Sequence, residues 1–518
     1  MKIAVFSTHA LFTPHYETEL EIMLDHILKN DKVFHVVCNQ HFEICDLIIL
    51  ENYNNNVSDL NTRKDICQRC ISKRKNGRLL IKSKKIKELN LINNKIKYKK
   101  PLTKFANFDD LRKYQIENYD IGESVVSSMI GLLRNPEFNL LEHEDTVERY
   151  LNSCSDLFYS TIDLIEKYKF DKIYIFNGRV AHARAILRAC QFKTVKFLIH
   201  DRGNNSNYYE LYDDLPHSLN LFPQNIERYW NLENDENKKN EIANTFYDER
   251  IQGKEQSWVS FVKDQTFDKL PSDWDKNKKN IVIYTSSEDE FAAVGKEWEN
   301  PLYKNQSEGI LSIINDDKIN LNKDIHIYIR IHPNLKGVNN SSTKPLFLIN
   351  KNNVTVIPPE SDISTYNLMF NADKILTFGS TVGIEAVYWG KPSILAGISF
   401  YKALGNIYIP NSHEELITMI ITKLEPTDKV SAIKYGYYLK TFGVKYKYYK
   451  PESLFNGKFL GKYLEEDLTI NIKKKKFFLL IIKKIYYLLY KILKKVFPNL
   501  KIIKSLNLFF NKKFNKNV

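Results

Sequence analysis

Short apolar runs alternate with amphipathic stretches through the first half of the chain. KIAVFST reads as a buried strand, and YETELEIMLDHILKN, with apolar positions three and four apart, reads as a helix. KVFHVVCN is a second strand, followed by an Asn-rich loop to about Thr62 and a Lys-rich, weakly patterned region to about Leu111. Residues 145–168 have helical spacing, KIYIFNG is a strand ending in a turn, RVAHARAILRACQ a helix, and VKFLIHDRG another strand and turn. Residues 235–280, rich in Asn, Lys, Asp and Glu, break the pattern. A second alternating set then runs through NIVIYTSS, IHIYIRIHP, NVTVIPP, a helix over 362–372, KILTFGS, a further helix and PSILAG. Such alternation predicts parallel, doubly wound sheets. The expected architecture is α/β: two Rossmann-like domains facing across a cleft, residues 1–275 and 276–465, with residues 466–518 as a basic amphipathic helical tail. A length of 518 residues, too great for one core, agrees with this.

The net charge of +14 is concentrated at one end. Residues 473–518 hold 14 lysines and no acid, so the rest of the chain is electrically balanced. That excludes a basic body made for nucleic acid and leaves a basic tail. At 100° per residue, Lys476, Lys483, Lys484, Lys491, Lys494 and Lys495 share one stripe beside a wide apolar face. A helix of this kind lies on an anionic membrane surface, unless it packs on the body or on a partner. The N-terminus has no charged leader with a long apolar core, and no apolar run reaches the length of a membrane span. The expected location is therefore cytoplasmic, peripheral on the inner face of the cell membrane.

Candidate chemistry gathers at strand ends of the second half, where ligands sit in parallel sheets. One strand ends in Thr285-Ser286-Ser287, one in Arg330-Ile331-His332-Pro333, and one in Gly379-Ser380-Thr381. Hydroxyls, an imidazole and the amides of a helix start can grip a phosphate, with Gly379 allowing close backbone approach. Glu385, one turn beyond Thr381, is placed to accept from sugar hydroxyls. Each feature alone has a plainer reading as a cap, a turn or a surface charge. Their order along the chain favours a common site.

SSEDEF, RIHP and FGSTVGIEAVYWGKPSILAG resemble the nucleotide-sugar half of bacterial surface-polysaccharide glycosyltransferases of the GT-B fold. The resemblance extends to the Kdo and sialic acid capsule transferases with an HP motif and a Ser/Thr phosphate motif. It reaches the first half more loosely through TPHYETELE, FNGR and HDRG. It implies a donor site with His332, Ser380 and Thr381 at the phosphates and Glu385 near the ribose. Ser286, Ser287, Arg330 and Gly379 would lie beside them. It further implies a CMP- or UDP-linked sugar as substrate, no required cofactor or metal, and a glycan or lipid-linked glycan acceptor. The base that activates the acceptor is expected across the cleft, from His15 or Glu17 after the first strand, with Asp201 as a further candidate. Asn177 and Arg179, at another strand end, are candidates for holding an acidic acceptor.

Six cysteines complete the inventory. Reduced thiols are the default for a cytoplasmic protein. A structural zinc shared by Cys38, Cys45, Cys67 and Cys70 is the alternative, because thiolates of a CxxC turn can hold one metal. Two rival readings remain: another enzyme on the same fold, such as a polyol-phosphate transferase or a sugar-nucleotide epimerase, and a non-catalytic scaffold of a polysaccharide assembly complex, which would not need Ser380 or His332.

Overall fold

The structure, a computed structural model, describes residues 1–48, 60–81, 83–93 and 96–465. The expected basic tail, residues 466–518, and most of the Asn-rich loop lie outside the described residues. Among the described residues no helix is long and apolar enough to cross a membrane.

The first domain is built on β1 (Lys2–Ser7), β2 (Lys32–Val37), β3 (Ile86–Asn90), β4 (Lys172–Phe176), β5 (Phe197–Arg202) and β6 (Tyr208–Tyr212). Five of these run parallel in the order 3-2-1-4-5, and β6 adds antiparallel to β5. β1 is covered on both faces, so it reads as a continuous apolar run rather than an alternating one. Helices α1 (His15–Leu28), α2 (Leu60–Ile81), α3 (Ile121–Leu133), α4 (Glu144–Tyr168) and α5 (Ala181–Phe192) accompany this sheet. The helix α2 and the strand β3 both fall in the Lys-rich region that carried no legible period. The sheet there is an edge, and only Ile86 of β3 is fully buried.

The second sheet comprises β7 (Lys279–Tyr284), β8 (Ile325–Arg330), β9 (Val354–Ile357), β10 (Lys374–Thr377) and β11 (Ser393–Leu395). All pairs are parallel, and the order 11-10-7-8-9 repeats the plan of the first sheet. Every residue of β8 is buried, and its isoleucines join those of β7 and the following helices in one core. The α/β architecture of two Rossmann-like units is thus observed.

The packing does not follow a division at residue 275, nor does all of 276–465 stay with the second sheet. Helices α6 (Leu221–Trp230) and α7 (Glu236–Ile251) pack with the second domain: Ile226, Phe246 and Tyr247 share a core with Ile384, Tyr435 and Tyr438. Composition misled here, because α7 is polar nearly all round and buries only Lys239, Ala243, Phe246 and Tyr247. In the other direction, β12 (Val444–Lys445) pairs with β6 of the first sheet. The hairpin of β13 (Tyr449–Ser453) and β14 (Asn456–Phe459) follows, and Tyr446, Tyr449 and Phe459 pack with Leu20 and Met23 of α1. The Glu21 carboxylate of α1 accepts the amides of Lys447, Tyr448 and Tyr449 at 2.6, 3.0 and 3.1 Å, fixing the returning strand.

Candidate functional site

In the second sheet the strand order reverses between β7 and β10, the place where an open α/β sheet leaves a crevice at its carboxyl edge. The residues following these two strands, with those following β8, line one cavity. Its wall includes Thr285, Arg330, His332, Ser380 and Thr381, together with Arg250 from α7. Gly379 precedes Ser380 in the turn that enters this wall. A Cβ built there would lie 2.5 Å from Phe291 and 2.7 Å from the Ile398 carbonyl oxygen, so only glycine permits this packing. The helix that begins after the turn, α8 (Val382–Tyr388), has seven residues, so the positive charge at the site comes chiefly from side chains.

His332 is held as a hydrogen-bond donor. Its backbone amide donates to Thr285 Oγ1 at 2.8 Å, and its Nδ1 accepts the Asn334 amide at 3.1 Å. The ring proton is therefore on Nε2. Burial, with Arg330, Arg250 and Arg134 nearby, lowers its pKa to about 4, so the ring is neutral at pH 7 and offers an N–H without charge. Arg330 is fully buried, and its terminal nitrogens donate to the Pro358 and Ser361 carbonyls. Its Nε has no protein partner.

Arg250 was not legible as a site residue. It donates to Glu385 Oε1 at 2.9 Å and to Thr381 Oγ1 at 3.3 Å, and its buried Nε is unpartnered. Burial opposes its charge, but the Glu385 carboxylate more than reverses this and raises its pKa. Glu385 is 1% exposed, with its second oxygen taken by the Tyr366 hydroxyl at 2.6 Å. The expectation that Glu385 reaches a ribose is corrected: it lies beneath the cavity and orients Arg250. An acid inside the apolar helix VGIEAVY requires a cation, which was the one sequence signal for Arg250. Ser286 and Ser287 also turn away. The Ser286 amide donates to Gln306 Oε1 at 3.0 Å, and Ser287 Oγ accepts from Asn334 at 3.1 Å. Neither lines the cavity, and Thr285 takes the place expected of them.

Across the molecule, His15 begins α1 and packs against Phe176, ring centroids 4.0 Å apart and the rings tilted by 37°. Burial, then Arg202, His200 and Lys73, hold its pKa well below the ordinary value. Glu17, expected to share its role, points inward and pairs with Lys73 at 3.0 Å, both side chains almost fully buried. Asp201 accepts from Asn177 Nδ2 at 2.9 Å and from the Arg202 amide at 2.8 Å. Asn177 takes φ +58° in the turn after β4 and holds Asp201 rather than a ligand. Arg179 donates to Ser127 Oγ at 3.0 Å and to the Ala293 carbonyl at 3.1 Å, tying the first domain to the second. It is a latch between domains, with its Nε buried and left without a hydrogen-bond partner. Arg134 pairs with Asp289 along the same seam.

The four cysteines considered for zinc do not form a site. Cys67 and Cys70 lie within the long helix α2 rather than in a knuckle turn, and all four are free thiols. Burial pushes Cys38, Cys45 and Cys67 up from the ordinary thiol value and Cys70 up to about 11.

Residues 232–449 match the family model of capsule polysaccharide biosynthesis proteins. The segment contains every cavity residue named above. No curated protein matches the chain in sequence. Among solved structures it is similar to the β-Kdo 2,4 transferase of KpsC from Thermosulfurimonas dismutans, at 13% identity over 52% of this chain and 79% of that one, TM-score 0.34. The corresponding β-Kdo 2,7 transferase is similar at 14% identity over 54% and 80%, TM-score 0.32. MnaA of S. aureus, solved with UDP, is similar at 12% identity over 92% and 96%, TM-score 0.25.

Proposed function

We propose that the protein is a glycosyltransferase of capsule polysaccharide assembly that moves a sugar from a nucleotide-sugar to a glycan acceptor. One observation carries this reading: Arg250, the neutral Nε2–H of His332 and the Arg330 Nε converge on the turn Gly379-Ser380-Thr381 at a sheet switch point. Two cations and a neutral donor around a small-residue turn suit a phosphate whose charge grows as the glycosidic bond breaks. These groups take the role a metal ion has in other transferases, so no metal is required at the phosphates. His15 is the base this reading favours for the acceptor hydroxyl, because burial keeps it neutral and it makes no hydrogen bond to any described residue, whereas Glu17 is committed to Lys73. The donor is CMP- or UDP-linked in this reading. The basic stripe of residues 473–518 holds the enzyme on an anionic membrane surface, where a lipid-linked glycan is presented.

The test is transfer itself. Full-length protein is incubated with radiolabelled CMP- and UDP-sugars and capsule oligosaccharide, and products are separated by size. Label in the glycan, lost in His332→Ala, supports the reading. Label retained in a free or epimerised nucleotide-sugar contradicts it.

A further inference from the structure

Away from the proposed donor site, three ligand atoms converge with no hydrogen-bond partner. His9 follows β1, Asp46 lies beyond β2, and His182 is in the first turn of α5 after β4, so three segments meet at the switch point of the first sheet. One ligand atom of each of His9, Asp46 and His182 lies within 4.8 Å of the other two, and the unpartnered atoms of the three side chains are His9 Nε2, Asp46 Oδ2 and His182 Nδ1. The residues are 4%, 5% and 0% exposed, and none of these three atoms has a hydrogen-bond partner.

The remaining polar atom of each side chain is fixed by a hydroxyl. Thr8 Oγ1 is 2.8 Å from His9 Nδ1, the Tyr150 hydroxyl donates to Asp46 Oδ1 at 2.5 Å, and Ser153 Oγ is 3.0 Å from His182 Nε2. Ser153 commits its own proton to the Tyr150 carbonyl at 3.1 Å, so it can only accept from His182. The His182 proton is therefore on Nε2, and Nδ1 presents a bare lone pair. His9 Nε2 stands 3.8 Å from Asp46 Oδ2, too far for a hydrogen bond. The acceptors Asp46 Oδ2 and His182 Nδ1 are buried beside the Phe12 and Phe42 rings without a hydrogen-bond donor. A cation between them removes that penalty.

We propose that His9, Asp46 and His182 bind a divalent cation of the zinc type. Two imidazole nitrogens with one carboxylate oxygen suit Zn²⁺ far better than Mg²⁺ or Ca²⁺, which prefer all-oxygen sets. The hydroxyls of Thr8, Tyr150 and Ser153 orient the ligands in the way outer partners do at metal centres. Burial of all three ligands makes the ion a pin joining β1, the segment after β2 and α5, and sets it apart from the cysteines of α2.

The experiment uses full-length protein reconstituted with ZnCl₂, freed of excess metal by gel filtration and analysed for zinc. Asp46→Asn and His182→Gln are measured in parallel with the Cys67→Ser/Cys70→Ser double variant, each checked for fold by circular dichroism. The expected result is about one zinc per chain in the wild type and the cysteine variant, and under about a tenth of that in the other two. Replacement by Co²⁺ reads the ligands without mutation: visible bands of a nitrogen and oxygen set, without an intense thiolate band in the near ultraviolet, support the site. Wild-type protein that keeps no zinc overturns the proposal. So does zinc retained in both Asp46→Asn and His182→Gln, or a thiolate band in the cobalt form.

Discussion

Arg250 has two tasks at once: it neutralises a carboxylate buried beneath the cavity and presents its Nε to whatever fills it. The two are separable by mutation. Arg250→Gln leaves Glu385 uncompensated and is expected to cost about 1–3 kcal/mol of stability along with nucleotide binding. Adding Glu385→Gln restores stability but not binding. Chemical denaturation and nucleotide titration of the two variants check this, and recovery of binding in the double variant would mean that Arg250 serves the fold alone. His15 leads to a different expectation. A base whose pKa is held well below the ordinary value stays unprotonated throughout the physiological range. The rate of transfer should then show no acidic limb near the ordinary histidine value of about 6.5. A pH–rate profile falling with a pKa near that value excludes His15 in its present environment.

At the level of the element, the turn from β10 into α8 depends on the missing side chain of Gly379. Gly379→Ala forces the Phe291 ring or the Ile398 backbone aside, and a destabilisation of about 1–3 kcal/mol is expected from such overpacking. Calorimetry of the variant measures it, and an unchanged melting temperature would show that the contact is relaxed. The turn itself was legible in sequence, as were β7, β8, β9 and β10, because buried parallel strands announce themselves as apolar runs closed by Gly, Pro or hydroxyl residues. The strand β3 and the helices α2 and α7 were not. They lie at an edge or on a polar surface, where few positions are buried and no period emerges. The same reason separates His332, found from its strand end, from Arg250, which sits on a helix whose sequence gives no sign of what it faces. Glu385 and Arg179 were noticed but misread, since sequence cannot tell a side chain that meets ligand from one that meets the other domain.

The whole molecule is interlaced, with α6 and α7 lent to the second domain and β12 to β14 returned to the first. The two units should therefore unfold together. Buried histidines make that stability sensitive to acid. His200 is fully buried, and burial lowers its pKa to about 4 against an unfolded value of 6.5. Between these values the unfolded chain takes up a proton that the native site refuses, so stability falls as pH drops from 6.5 towards 4. At pH 5 this amounts to on the order of 1–2 kcal/mol. His200→Gln removes the effect, so its melting temperature should fall less steeply than that of wild type over this window. Parallel slopes would place the acid sensitivity elsewhere.

The central claim is that the cavity between β7, β8 and β10 receives the phosphate of a nucleotide. Isothermal titration of CMP, UDP, GDP and CDP into wild type and His332→Ala tests it most directly. One pyrimidine nucleotide is expected to bind, and the loss of a neutral donor to a charged oxygen to weaken it about tenfold to a hundredfold. Binding should be insensitive to His332 ionisation between pH 6 and 8, because the ring is already neutral there. A folded protein that binds none of the four, or binds equally well without His332, contradicts it.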